Sequence, residues 1–76
     1  MLNIDSPFAA DQWMANVFSA KAVRDGHVIR RKLAHIDRFV GRERFMAELS
    51  RRGWHAVENS GQMVIFCNQE PIRVIL

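Results

Sequence analysis

The chain reads as a small α+β domain, residues 1–76, with helices on one face of a mainly antiparallel sheet. Three observations predict this. Gly41 to Arg52 is an amphipathic run that stops at Gly53. Two strand-like segments then flank the turn signal Asn59-Ser60-Gly61. Near the N-terminus, Trp13, Met14, Val17 and Phe18 recur at the spacing of a buried helical stripe. A chain of 76 residues has room for one core, and a hydrophobic fraction of 49% is too high for intrinsic disorder.

Taken in order, Ser6-Pro7 is a good helix start. Serine caps free backbone N–H groups and proline is tolerated at the first helical position. The helix ends by Gly26 at the latest, or earlier near Ser19. Ile29, Leu33, Ile36 and Val40 fit one helical face, yet His27-Val28-Ile29 follows the turn signal Asp25-Gly26. The reading adopted is a short strand from about His27 to Lys32 and a short helix through Phe39, with one continuous helix as the alternative.

Gly41 breaks the pattern and a second main helix runs to about Arg52, with Phe45, Met46 and Leu49 as its apolar stripe. Gly53 is placed to take a left-handed conformation past the helix end, and Trp54 to fold back on Leu49. Trp54–Glu58 is expected to be a strand. Asn59-Ser60-Gly61 is a turn, because asparagine and glycine tolerate positive φ. Met63–Cys67 shows no polar alternation, so it is expected to be a central strand covered on both faces. Asn68-Gln69-Glu70-Pro71 turns the chain, and Ile72–Leu76 is expected to form a last strand at a sheet edge.

The single cysteine, Cys67, excludes an internal disulfide and fits a reducing, cytoplasmic setting. The N-terminus lacks the basic start and long apolar stretch of a signal peptide, and the longest apolar run is far too short to cross a bilayer, so no membrane role is expected. Net charge is +3, but Lys21 to Arg52 holds ten basic and four acidic side chains. Such an excess suits phosphate or an acidic protein surface.

Arg30-Arg31-Lys32 and Arg51-Arg52 are the densest cationic groups, and guanidinium offers phosphate a planar fork of donors. Arg38, Arg42 and Arg44 extend the patch. The alternative is a solvated face, with Arg51 and Arg52 complementing the negative end of the helix dipole. Trp13, Phe18, Phe45 and Phe66 sit in apolar patterns and read as core. Trp54, beside the arginines, is either a base-stacking platform or the apolar partner of the glycine cap. His27, His35 and His55 lack the close pairing of zinc ligands, so no metal is assigned. Cys67 ends an apolar strand and reads as a small buried hydrophobe. A Cys67–His55 pair lacks an oxyanion hole and an orienting carboxylate, and no phosphate loop, dinucleotide fingerprint or catalytic carboxylate pair is present. No catalytic residue and no cofactor is expected.

Arg44 to Phe66 resembles the HicA-type mRNA interferases of toxin–antitoxin systems, whose compact fold is shared with double-stranded-RNA-binding domains. The shared pattern is a helix, Arg52-Gly53-Trp54, a strand with Val57, a turn at Gly61, and an apolar strand through Ile65-Phe66. It covers under a third of the chain. In that family a catalytic histidine follows the turn glycine. Here Gln62 stands there, and His55 lies on the preceding strand. The resemblance implies an RNA-binding-like scaffold without the nuclease.

The functional expectation is therefore a non-enzymatic domain that contacts RNA or DNA through Arg30, Arg31, Arg51 and Arg52, with Trp54 and the hairpin turn giving any specificity. A protein-interaction module or small homodimer, formed through Ile72–Leu76 as an exposed edge strand, is the main competitor. A ribonuclease of the resembling type is the third reading.

Overall fold

The structure, a computed structural model, describes residues 7–76. Its elements are helices α1 (Pro7–Phe18) and α2 (Lys21–Arg24), strand β1 (Val28–Lys32), helices α3 (Leu33–Phe39) and α4 (Arg42–Arg52), and strands β2 (His55–Asn59) and β3 (Gln62–Phe66). Ser6, the expected cap of α1, lies outside the described residues. The fold is α+β, with a three-stranded antiparallel sheet in the order β1-β3-β2. The strand-then-helix reading of 27–40 holds. The short helix α2 was not anticipated.

Positive-φ glycines end α4 and close the hairpin. Gly53 adopts φ +74 after α4, which lets its own N–H reach the Ser50 carbonyl and the Trp54 N–H reach that of Leu49, each at 3.0 Å. This paired closure satisfies carbonyls that a helix end otherwise leaves open. The hairpin closes on two residues, Ser60 (φ 50) and Gly61 (φ 73), with Asn59 still paired to Gln62. Positive φ therefore falls on Ser60 and Gly61, not on Asn59.

The helices cover one face of the sheet. Ile29, Met63, Ile65 and Cys67 meet Val17, Val23, Leu33, Ile36, Phe45 and Leu49 in one core. Phe45, Ile36 and Ile65 are fully buried at its centre. Trp13 stacks on Phe39 and meets Phe45 edge-on, both at 5.9 Å, and Phe18 stacks on Phe45 at 5.7 Å. These rings join α1 to α3 and α4; Trp13, Phe18 and Phe45 were expected in the core, and Phe39 was not singled out. No helix among the described residues is long and apolar enough to cross a membrane.

Two expectations fail. Ile72–Leu76 forms no strand. Both lateral positions beside β3 are taken, by β1 and β2, so the chain leaving β3 has no adjacent edge to join. It is held away instead. Asn68 Oδ1 accepts from the Glu70 N–H at 3.0 Å, and Gln69 Nε2 donates to the Arg52 carbonyl at 3.1 Å. β3 is central, as expected, but among the described residues no helix covers its second face. Phe66 is accordingly not part of the core cluster. Side chains alternate along a strand, so Phe66 and Val64 lie opposite Ile65 and Met63.

Candidate nucleic-acid interface on the open sheet face

Alternation and register place the arginines expected to converge. Ile29 is buried against the helices, so Arg31 shares that face and Arg30 lies on the other. Arg31 bends to its own strand, where Nη1 donates to the Arg30 carbonyl at 2.6 Å. Arg30 Nη1 donates to Gln62 Oε1 at 2.8 Å across the sheet.

Arg51 and Arg52, on the last turn of α4, both turn to Glu48. Arg51 Nη2 lies 2.5 Å and Arg52 Nε 2.6 Å from Glu48 Oε2. Hydrogen bonds from Arg51 and then Arg52 hold the Glu48 carboxyl below the usual glutamate range, and the same bond holds Arg51 above the usual arginine value. The Arg52 guanidinium also lies over the rings of Phe18 and Trp54, whose centroids are 6.0 Å apart. Arg52 and Trp54 thus close the junction of α1, α4 and β2. The four arginines do not share one surface: Arg30 stands on the open sheet face, Arg31 on the helix-facing side, and Arg51 and Arg52 against an acid at the end of α4.

The wider patch divides similarly. Arg42 pairs with Asp37 at 2.9 Å, Lys21 with Asp25 at 2.5 Å, and Arg44 with Asp11. The Asp37 hydrogen bond raises Arg42 above the usual arginine value. Burial pushes the Cys67 thiol up, against the smaller opposing influence of Arg31 and Arg52, so it stays protonated at neutral pH. Among the described residues no three His, Cys, Asp or Glu side chains gather as a metal site.

The uncovered face of the sheet has a different character. Pairing aligns its side chains in three rows: Val28, Phe66 and His55; Arg30, Val64 and Val57; Lys32, Gln62 and Asn59. Among the described strand residues this face has two permanent cations, one imidazole, two amides and no carboxylate. Glu58, the one acid in the strands, shares the parity of Met63 and faces the helix side. Val28 and Val57 remain 49% and 46% exposed, and Phe66 is half-buried on the central strand. Arg30 and Lys32 are two residues apart on the same side, about 7 Å along β1.

No protein family, curated protein or solved structure matches this chain. The open sheet face has a chemistry of its own. An aromatic ring lies between an imidazole and an aliphatic side chain, with cations along one margin and amides at one end. Of the expected site residues only Arg30 belongs to it. Lys32, part of the expected cationic run, also lies on this face, whereas His55, Val57, Gln62 and Phe66 were not expected to take part in binding. The signal that finds them is period-two alternation, read outward from the buried Ile29 and Ile65.

Proposed function

We propose that this chain is a non-enzymatic binding domain for single-stranded nucleic acid, RNA or DNA, held on the open face of the β-sheet. The observation that supports it most is the combination of Arg30 and Lys32 with Phe66 on a sheet face to which the strands contribute no carboxylate. Phosphates would lie along the β1 margin, where guanidinium and ammonium supply donors. A base would stack on Phe66 and the neighbouring His55, because every base offers a π-face to an aromatic platform. Gln62 and Asn59 would offer amide donors and acceptors to base edges.

A sheet face with a partly exposed aromatic suits unstacked bases better than a duplex, whose bases are hidden from such a platform. The contact expected earlier from Arg51 and Arg52 has no part in this reading, because Glu48 already occupies both.

The test is binding of labelled mixed-sequence RNA and DNA oligonucleotides at two salt concentrations. For about two neutralised phosphates the log–log slope is expected near −1.4. Arg30→Gln with Lys32→Gln should abolish most of that slope, whereas Arg51→Ala should leave it. No binding of either strand at low salt overturns the reading.

A further inference from the structure

A second surface lies on the opposite side of β2. A groove of about 620 Å³ runs between α4 and β2, lined by Met46, Leu49, Trp54, Ala56, Glu58 and Met63, among others. Helix α4 does not close over β2: all five residues of β2 are exposed, and Met46 on α4 is 51% exposed. β2 is also an edge strand, so among the described residues one side of its backbone has no ladder partner. The other edge, β1, is guarded. It carries Arg30-Arg31-Lys32, and the Arg31 guanidinium occupies the Arg30 carbonyl. Charge and a satisfied carbonyl discourage strand addition there.

The same chain carries an apolar segment that the described residues leave largely uncovered: Ile72 is 39% exposed, and exposure rises beyond it. Val74 and Ile75 are 88% and 91% exposed, and Leu76 is fully exposed. Ile72-Arg73-Val74-Ile75-Leu76 is rich in β-branched residues, and Ile72, Val74 and Leu76 share one side when extended. Its five residues match the five of β2, about 17 Å in each case. Within one chain the two do not meet. The Asn68 turn and the Gln69 bond to Arg52 direct the segment outward from the end of α4, and Pro71 stiffens its exit.

We propose that residues 72–76 of one copy add as a strand to the free edge of β2 in a second copy, with reciprocal exchange. Ile72, Val74 and Leu76 enter the α4–β2 groove beside Met46 and Ala56, and the backbone pairs with β2. Because the exchange is reciprocal, it is isologous and closes at two chains. Ten exchanged residues and two grooves bring the buried area to roughly 1,000 Å², the lower bound for a specific interface. The sheet becomes four-stranded, and Arg73 and Ile75 emerge on its open face. This exchange does not depend on nucleic-acid binding, and oligomeric state is read without any oligonucleotide.

Sedimentation equilibrium of the full chain tests it. The wild type is expected to be a dimer that dissociates on dilution. Val74→Asp with Leu76→Asp should be monomeric, as should Met46→Asp, with circular dichroism confirming that each is folded. Both substituted sites are exposed, so neither disturbs the core. Mixing the tail variant with the groove variant leaves one intact segment and one intact groove per pair, and should restore dimers with at least tenfold weaker affinity than the wild type. A wild type that stays monomeric to about 1 mM, a limit that leaves only millimolar affinity, overturns the proposal. So does a dimer that survives either variant, or a mixture that shows no association.

Discussion

The guanidinium carbon of Arg52 lies 4.3 Å from the centroid of the Phe18 ring and 5.0 Å from that of Trp54. With Nε donated to Glu48, the side chain is held between a helix end, a ring from α1 and a ring at the start of β2. A cation over aromatic faces adds about 1–2 kcal/mol when partly desolvated. Arg52→Ala is expected to lower stability by about 1–3 kcal/mol, or roughly 4–8 °C in Tm per kcal/mol for a domain of this size. Arg52→Lys should recover little, because an ammonium lacks the planar stack and the Nε donor. Thermal melts measure the loss. Unchanged Tm with lost oligonucleotide binding would instead return Arg52 to the interface.

Glu48 makes the α4 end sensitive to acid. Its carboxyl titrates below the usual glutamate value because Arg51 and Arg52 donate to it. The unfolded chain therefore takes up this proton at higher pH than the folded one. The stabilisation is fully present above the unfolded value of about 4.3 and is lost as pH falls through the lower folded value. Urea unfolding between pH 7 and pH 3 should show a stability loss that is smaller in Glu48→Gln. The same loss in both proteins would mean that the pair contributes nothing to folding.

Gly53 is the position in α4's exit least tolerant of a side chain. At φ +74 any Cβ is strained, and here it would also come 3.4 Å from the Gln69 side chain that braces the segment after β3. Gly53→Ala is expected to cost about 1–2 kcal/mol. Denaturant titration should show a lower midpoint with unchanged slope. A variant as stable as the wild type would show that the helix end relaxes without the left-handed residue.

This helix end was legible in the sequence because its signals agree: an apolar stripe, arginines in the last turn, then glycine and an aromatic. The hairpin was legible for the same reason. The cationic site was not. Counting arginines says how much charge a segment carries, but strand parity sends Arg30 and Arg31 to opposite faces, and Glu48 captures Arg51 and Arg52 from three and four residues away. Phe66 misled for a related reason. A continuous apolar run looks covered on both sides, although Val64 is shielded between Arg30 and Val57 within the sheet itself, without a second layer.

The hairpin leaves room for improvement. Its two loop residues both have positive φ, as in a type I′ turn, and serine occupies the first. Asparagine enters that region at lower cost and is favoured before glycine in such loops. Ser60→Asn is expected to raise stability by roughly 0.5–1 kcal/mol, by analogy with other changes that match a residue to its backbone. A rise in the urea midpoint checks it. No gain would indicate that Ser60 already makes a compensating bond.

Phe66 separates stacking from packing on the open face. Leucine keeps apolar bulk over the sheet but removes the π-surface, so Phe66→Leu should cost less than about 1.5 kcal/mol of stability. Base stacking on an aromatic is worth about 1–3 kcal/mol, so the same change should weaken oligonucleotide binding roughly 5- to 150-fold. The salt slope should not change, since the phosphate contacts of Arg30 and Lys32 are untouched. Arg30→Gln should behave in the opposite manner, with a smaller slope by about 0.7 and Phe66 quenching or ring-shift signatures retained on binding. Fluorescence anisotropy across salt, with NMR of the Phe66 ring, distinguishes these outcomes. If Phe66→Leu binds as tightly as the wild type, the ring is only covering Ile65's strand from solvent and the base platform does not exist.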